Sequence, residues 1–349
     1  MSPRRIAVNS AIHRHGTSGS STATHALVEA LRRLDDVDVR EVAPARQRGR
    51  SSVLNAVADA RWDLRQASRA LPGADLLVSP CNIGRRGPAR KHLLVVHDVM
   101  PVEHPELFDR KFAAYFRLLV PRSVRDADRV LTLSEHSARV LRGMAPGTDV
   151  RVVTWSHAGG STARAPFPAR KTVLMVGATE PVKNQVRGIE AVAGLRGSTG
   201  ADLGLRVIGP AGRAEDAVRS ALAAADARGA WTSREVDVPA TVLESAYASS
   251  WLLLQPSYDE GFGLPLVEAA RHGLPVVHSG RGAMPRVLPE VDAHGVTSGA
   301  FVTAMGPLLD EEAWTAAADA VAARAAAYDP ASFHAVVRDA VTDLLPAVR

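Results

Sequence analysis

A single cysteine, Cys81, stands among the 349 residues. No intrachain disulfide can form, and a zinc centre built on several thiolates has no ligands to draw on. Long apolar runs are also missing. Stretches such as 93–96 and 251–254 fall far short of the ~20 residues a membrane-spanning helix needs. The amino end, with Arg4, Arg5, His13, Arg14 and His15, holds no apolar stretch of the kind a secretory signal uses. Aromatic residues make up only 5% and no nucleic-acid recognition motif is present, so nucleic acid is not expected as a partner. Disulfide scaffolds and helical membrane proteins are thereby set aside. A cytoplasmic α/β protein is expected, with two domains at ~100–200 residues each.

Lysine is scarce too. It occurs at positions 91, 111, 171 and 183 only, among 42 basic residues. Charge is unevenly spread: residues 1–150 hold 24 Lys and Arg against 16 Asp and Glu, a net of +8, and residues 151–349 hold 18 against 21, a net of −3. A basic half suits an anionic partner, such as a phosphorylated substrate or an anionic lipid surface. A general arginine bias explains the excess at least as well.

Short apolar strands alternate with helix-periodic segments along the chain. Strands are predicted at 5–9, 37–42, 75–79, 92–97 and 129–133. Helices are predicted from about 26 to 34 and over 108–120, with another capped by Ser134 and running through 141. A Pro- and Gly-rich stretch follows at 157–169, and the pattern then restarts. Strands at 172–176, 205–208, 251–255 and 275–279 alternate with helices at 184–195, 213–227, 239–248 and 265–272. Residues 311–345 read as helical, with a break at Asp329-Pro330. Such alternation predicts parallel sheets covered by helices on both faces, and two series predict two doubly wound domains. Ligands of open parallel sheets sit beyond the carboxyl ends of the strands, which places the expected site in a cleft between two facing domains.

Three segments just after strands carry chemistry. The first is Gln255-Pro-Ser-Tyr-Asp-Glu260-Gly261-Phe262-Gly263-Leu264-Pro265, running on to Glu268 and Gly273. Gly261 and Gly263 permit close approach of a ligand to the main chain. Pro265 suits a first helical turn and Gly273 a helix end. Free N–H groups at that helix start can hold phosphate or sugar hydroxyls. Glu260 in the loop and Glu268 one turn into the helix can accept hydrogen bonds from hydroxyls. A dipole-favoured acid explains Glu268 alone, but it does not explain the glycines around Phe262. The second segment runs from Gly177 through Glu180 to Lys183 and Asn184. A lysine at a helix start can pair with a diphosphate, and G-x-G-x-x-G is absent. The third starts at His97-Asp98 and ends at His104-Pro105-Glu106. His97 can donate to a sugar hydroxyl or handle a proton, or it can be a strand-end histidine satisfied by backbone.

Together these residues resemble the retaining glycosyltransferases of family 4, in a mannosyltransferase-like form, which have the GT-B fold. The resemblance is strongest over 172–280, good over 92–142 and weak before 50. The family's Glu-x7-Glu element matches Glu260 and Glu268, and its P-S-x-x-E-G-F-G-L-P-x-x-E-A form is nearly complete. Its diphosphate lysine matches Lys183, and its H-D-x-x-P-x-x-H-P-E segment matches 97–106. Ser134-Glu135 followed by Ser137 resembles the family's S-E-x-S helix start.

The resemblance implies two Rossmann-like domains facing across a cleft. Residues 1–157 would bind the acceptor, with helix 331–349 packing back on them, and residues 170–330 would bind the nucleotide sugar. It implies that Glu260, His97 and Lys183 act on the donor sugar and diphosphate and that Glu268 holds the ribose. Gly261, Phe262, Gly263, Leu264, Gly177 and Asn184 would line the donor site. Gly16 and Gly19 match the amino-terminal glycine loop only loosely. Implied substrates are GDP-mannose or a UDP-hexose, with a sugar, lipid-linked or small-molecule acceptor. No metal motif is present, and no metal or other cofactor is expected.

Three positions depart from the pattern. Ala178 and Val182 stand where many members carry an arginine, which leaves Arg187 as a substitute, and Arg286 stands in the usual P-E-V. A GT-B epimerase or a non-catalytic subunit is therefore a rival reading. The helix at 108–125 interleaves Phe112, Phe116 and Leu119 with Lys111, Arg117 and Arg122. That pattern fits peripheral contact with an anionic membrane at its inner face. A buried amphipathic helix with snorkelling arginines is the commoner cause.

Overall fold

The computed structural model describes residues 3–11, 19–44, 61–154, 166–288, 293–328 and 330–345. The chain forms two compact units, Met1–Ala158 with Pro330–Arg349, and Gly159–Asp329.

The first unit holds a six-stranded sheet of order β2-β1-β3-β4-β5-β6. Its strands are β1 (Arg4–Asn9), β2 (Val37–Val42), β3 (Leu76–Ser79), β4 (Lys91–Val96), β5 (Arg129–Thr132) and β6 (Val150–Val152), and all neighbours pair in parallel. Strands covered on both faces read as unbroken apolar runs, and Leu93, Leu94, Val95 and Val96 are all buried. The helices of this unit are α1 (Gly19–Arg32), α2 (Met100–Glu103), α3 (Arg110–Asp126) and α4 (Glu135–Met144). A π-helical turn, Trp62–Gln66, runs into a 3₁₀ turn, Ala67–Arg69. Ser134 caps α4 as its spacing predicts, with its Oγ accepting from Ser137 N at 3.1 Å. Asp109 does the same for α3, accepting from the N–H groups of Lys111 and Phe112.

The apolar residues of α3 divide between two environments. Phe116 and Val120 are buried in the core with Leu119 packed against it, whereas Phe112 is 47% and Leu118 53% exposed. Gly19 is the first residue of α1. Gly16 lies outside the described residues.

The second unit holds a five-stranded parallel sheet of order β11-β10-β7-β8-β9. These strands are β7 (Lys171–Val176), β8 (Leu203–Ile208), β9 (Trp231–Glu235), β10 (Leu252–Gln255) and β11 (Val276–His278). The helices between and after them are α5 (Gln185–Thr199), α6 (Glu215–Asp226), α7 (Ala240–Ser249), α8 (Leu264–Arg271), α9 (Met284–Val287), α10 (Ser298–Met305) and α11 (Glu311–Ala325). The core gathers Trp251, Leu252, Leu254, Phe301 and Trp314, and the two indole N–H groups are bonded to backbone carbonyls. The final helix, α12 (Pro330–Thr342), belongs to the first unit.

Three elements lack a strong sequence signal: β6, β9 and α10. Strand β9 lies at a sheet edge and carries Thr232, Ser233, Arg234 and Glu235, so it has no apolar run to announce it. Helix α5 starts one residue later than its periodicity predicts, because Asn184 sits at φ +52° and cannot continue the preceding 3₁₀ turn.

Candidate active site

The expected residues from 177 to 268 fall in the second unit. All except Glu268 lie in loops or at helix starts after the strands. Three loops converge there: 177–184 after β7, 256–263 after β10 and 279–283 after β11. They are laced together by backbone bonds. Tyr258 N donates to Val182 O at 2.8 Å, and Asn184 Nδ2 donates to Pro256 O at 3.0 Å and to Val296 O at 2.9 Å. Ser279 Oγ donates to Ser257 O at 2.6 Å. Asn184 is thus a strut of the site.

Lys183 and Glu260 meet at the centre. Lys183 Nζ lies 2.6 Å from Glu260 Oε1, with the two side chains 22% and 7% exposed. Gln255 Nε2 at 2.6 Å and Ser257 Oγ at 2.7 Å donate to the same oxygen. Three donors therefore fix one carboxylate oxygen. Among the described residues none reaches Oε2, which leaves an acceptor for a ligand hydroxyl. Ser257 lies inside the recognised motif and Gln255 just before it, but their bonds to Glu260 were not anticipated from the sequence.

Two glycines shape this corner. Gly177, at φ +139°, takes a backbone conformation that favours glycine beside Lys183, though a Cβ there would make only ordinary contact, 3.7 Å from Lys183 Cε. Gly282, at φ +62°, packs on the acidic loop so tightly that a Cβ would stand 1.9 Å from Asp259 Oδ1 and 2.5 Å from Glu260 O. Sequence reasoning missed Gly282, which lies 22 residues beyond Glu260 and outside the motif.

Phe262 is buried with its ring edge-on to Tyr328 at 6.1 Å, so only its main chain is available to a ligand. Gly263, at φ +89°, turns the chain into α8, and Leu264 and Pro265 form its first turn. Glu268 sits one turn inside α8. Tyr247 Oη donates to Glu268 Oε2 at 2.5 Å, and burial followed by the Glu268 charge pushes the phenol well above its ordinary value. The Tyr247 ring stacks on His272 at 5.8 Å, and His272 Nε2 lies 2.8 Å from Glu244 Oε2. Tyr247 has no local sequence signal, because it reaches Glu268 from α7.

The departures from the family pattern have clear placements. Val182 is buried, so that position presents no cation. Arg187 is 2.7 Å from Glu190 on its own helix. Arg286 lies exposed on α9.

His97 lies in the first unit, just after β4. Its Nε2 is 2.6 Å from Pro80 O and its backbone N–H donates to Asn82 Oδ1. Burial lowers its pKa to about 4, so the ring is neutral at pH 7 and Nε2 carries the proton. That proton is committed to a backbone carbonyl.

Comparison with known proteins follows the same lines. A family model described as "Family 4 Glycosyltransferase in conflict systems" matches residues 122–341. The O-antigen chain mannosyltransferase B of Escherichia coli is 30% identical over 207 residues, covering 55% of this chain and 54% of the relative. The D-inositol 3-phosphate glycosyltransferase of Mycolicibacterium smegmatis is 28% identical over 209 residues, 56% of this chain and 46% of that protein. The chain thus spans about half the length of the curated relatives it matches. Among solved structures, the sucrose-phosphate synthase of Thermosynechococcus elongatus superposes with a TM-score of 0.75 at 15% identity, covering 98% of this chain and 99% of the other. TarM of S. aureus, solved with UDP, gives 0.58 at 14% identity over 77% of this chain and 55% of its own. No helix among the described residues is long and apolar enough to cross a membrane. The two doubly wound sheets are those of the GT-B fold, and the chain belongs to the family 4 glycosyltransferases, in the group described from conflict systems.

Proposed function

We propose that this protein transfers a hexose, with mannose favoured, from a nucleotide diphosphate sugar to an acceptor hydroxyl with retention at the anomeric carbon. The observation that carries the proposal is Glu260, with one oxygen fixed by Lys183, Gln255 and Ser257 and the other left for a ligand. The relatives named as mannosyltransferases favour GDP-mannose, and a UDP-hexose is the alternative donor. The second unit takes the donor and the first takes a sugar, lipid-linked or small-molecule acceptor.

In this reading the C1–O bond to the diphosphate breaks while the acceptor oxygen bonds to C1 on the same face. The acceptor's proton passes to the leaving phosphate oxygen. Negative charge grows on the diphosphate, and the Lys183 ammonium and the main-chain N–H groups at the start of α8 stabilise it. Glu260 Oε2 accepts from a donor-sugar hydroxyl, and Glu268, held by Tyr247, accepts from the ribose. His97 stays neutral, with its proton held by the Pro80 carbonyl, and serves as a shape element rather than as a base. Gly16 and Gly19, loosely matched to the amino-terminal glycine loop, are assigned in this reading to donor and nucleotide binding.

The test is nucleotide release from a panel of GDP- and UDP-sugars, with and without candidate acceptors. Release should depend on an acceptor and fall at least ~100-fold in Glu260→Gln and in Lys183→Met, the usual scale for losing one preorganised charged group. Full transfer by both variants would overturn the reading. Conversion of the donor with no acceptor present would replace it with an epimerase.

A further inference from the structure

The first unit carries a concavity of about 560 Å³, lined by Leu64, Arg65, Arg69, Arg85, Gly87 and Pro88. Three arginines share it, and among the described residues no acidic side chain lines it. In this chain most arginines near a carboxylate are paired with it, as Arg86 is with Asp128 and Arg90 with Asp75. Arg65, Arg69 and Arg85 have no ion pair among the described residues. All three are exposed to solvent, and a concavity lined by charges of one sign concentrates counter-ions of the other.

Both walls are pinned. On one side the π-helical turn is anchored by Trp62, whose Nε1 donates to Asn9 Oδ1 at 2.7 Å, while Asn9 Nδ2 donates to Asp63 Oδ1 at 2.7 Å. Arg65 lies in this turn and Arg69 four residues on, at the end of the 3₁₀ turn that follows. On the other side the 80–90 loop is tied by Gly84 N to Ser123 Oγ and by Arg86 N to Asp126 Oδ2. Gly87, at φ +54°, turns the loop two residues after Arg85. The scaffold is therefore held by bonds that leave the three guanidinium heads uncommitted.

The pocket is not part of the donor site. Arg90 N and Lys91 N donate to Ala74 O and Asp75 O, just ahead of β3, and Asp126 lies just ahead of β5. The loop has thus returned to the amino ends of the strands, whereas His97 and the sugar chemistry lie at carboxyl ends.

We propose that Arg65, Arg69 and Arg85 form a binding site for a phosphate-bearing ligand. Planar guanidinium forks match phosphate oxygens two at a time, and three of them suit a diphosphate or clustered phosphomonoesters. The ligand is either a soluble phosphate ester or the headgroups of an anionic bilayer.

The experiment titrates the full chain with pyrophosphate by calorimetry, at two salt concentrations, in a Lys183→Met background that removes the proposed donor diphosphate contact. A saturable, salt-weakened site is expected. It should lose about tenfold in affinity in each of Arg65→Gln, Arg69→Gln and Arg85→Gln, and Arg33→Gln should not change it. In parallel, sedimentation with phosphatidylglycerol and with phosphatidylcholine vesicles reads the second source. Pyrophosphate binding lost in the variants assigns a soluble ligand. Binding to anionic vesicles alone, again lost in the variants, assigns a headgroup. No binding in either arm, or binding that the three substitutions leave unchanged, overturns the proposal. Circular dichroism and a thermal midpoint check that each variant is folded. Transfer activity tests the donor site separately, so the two readings fail independently.

Discussion

The placement of Glu260 and Lys183 after strands was legible because both lie in short, conspicuous motifs. What holds them was not, because Tyr247 reaches Glu268 from a separate helix and Gly282 reaches Glu260 from a separate strand end. Tyr247→Phe removes one hydroxyl and leaves the ring stacked on His272. A hydrogen bond to a charged group is worth about 1.5–3 kcal/mol. Donor KM should therefore rise about tenfold or more with kcat nearly unchanged, which steady-state kinetics against donor concentration will read. Equal loss in kcat would instead place Tyr247 in the chemical step. The histidines of the first unit give a second prediction at this scale. Burial lowers both His92 and His97 from 6.5 to about 4. Between those values the unfolded chain binds more protons than the folded one, so stability falls as pH drops from about 6.5 towards 4. At 1.36 kcal/mol per unit, each contributes a loss on the order of 2–3 kcal/mol by pH 4.5. Urea midpoints at pH 7 and 4.5 should show the drop, and His97→Gln should reduce its slope. A flat profile would mean that these rings protonate in place.

Among the elements, strands and helices with continuous apolar runs or helical periodicity were readable, and those built from polar residues were not. Strand β9 earns its place in the sheet by pairing with β8 and by laying Trp231 over Gly204, where a Cβ would come within 1.8 Å of the indole. Neither feature appears in a local pattern. The short connection through Gly282 is the element on which the acidic loop rests. Gly282→Ala places a methyl against Asp259 and the 260 backbone at a φ of +62°, so the loop must shift whatever else relaxes. Activity should fall at least ~10-fold, because a displacement of about 1 Å at a catalytic group is costly. Stability should fall by about 1–3 kcal/mol. Gly299→Ala, at a helical glycine whose Cβ meets nothing within 4 Å, serves as the control and should be nearly silent. Donor-dependent nucleotide release and thermal midpoints for the two variants distinguish a local effect at the loop from a general intolerance of added methyl groups.

Over the whole chain, the first unit is closed by residues nearly two hundred positions from its last strand. The exit near 157–169 and the break at Asp329-Pro330 could be read from proline and glycine, whereas the bond that recaptures the tail could not. Arg129, at the start of β5 and only 6% exposed, donates from Nε to Asp149 Oδ2 at 2.7 Å and from Nη2 to Asp343 Oδ2 at 2.9 Å. It also reaches the Ala340 carbonyl at the end of α12 at 2.5 Å. The guanidinium holds the Asp343 carboxyl down to about 2, so the carboxylate stays ionised from mildly acidic pH upward. Arg129→Met removes the buried charge and leaves two half-exposed carboxylates that water can solvate. Its cost is therefore that of the lost charged hydrogen bonds, about 1.5–3 kcal/mol. Asp343→Asn costs less, because Arg129 keeps Asp149. Hydrogen exchange read peptide by peptide should show protection of residues 330–342 falling at least tenfold in Arg129→Met and less in Asp343→Asn. Peptides of β10 in the second unit should keep their rates, since no bond of Arg129 reaches them. Unchanged protection of α12 in Arg129→Met would mean that the apolar contacts of Phe333, Val337 and Val341, all buried, hold the tail without the ion pair.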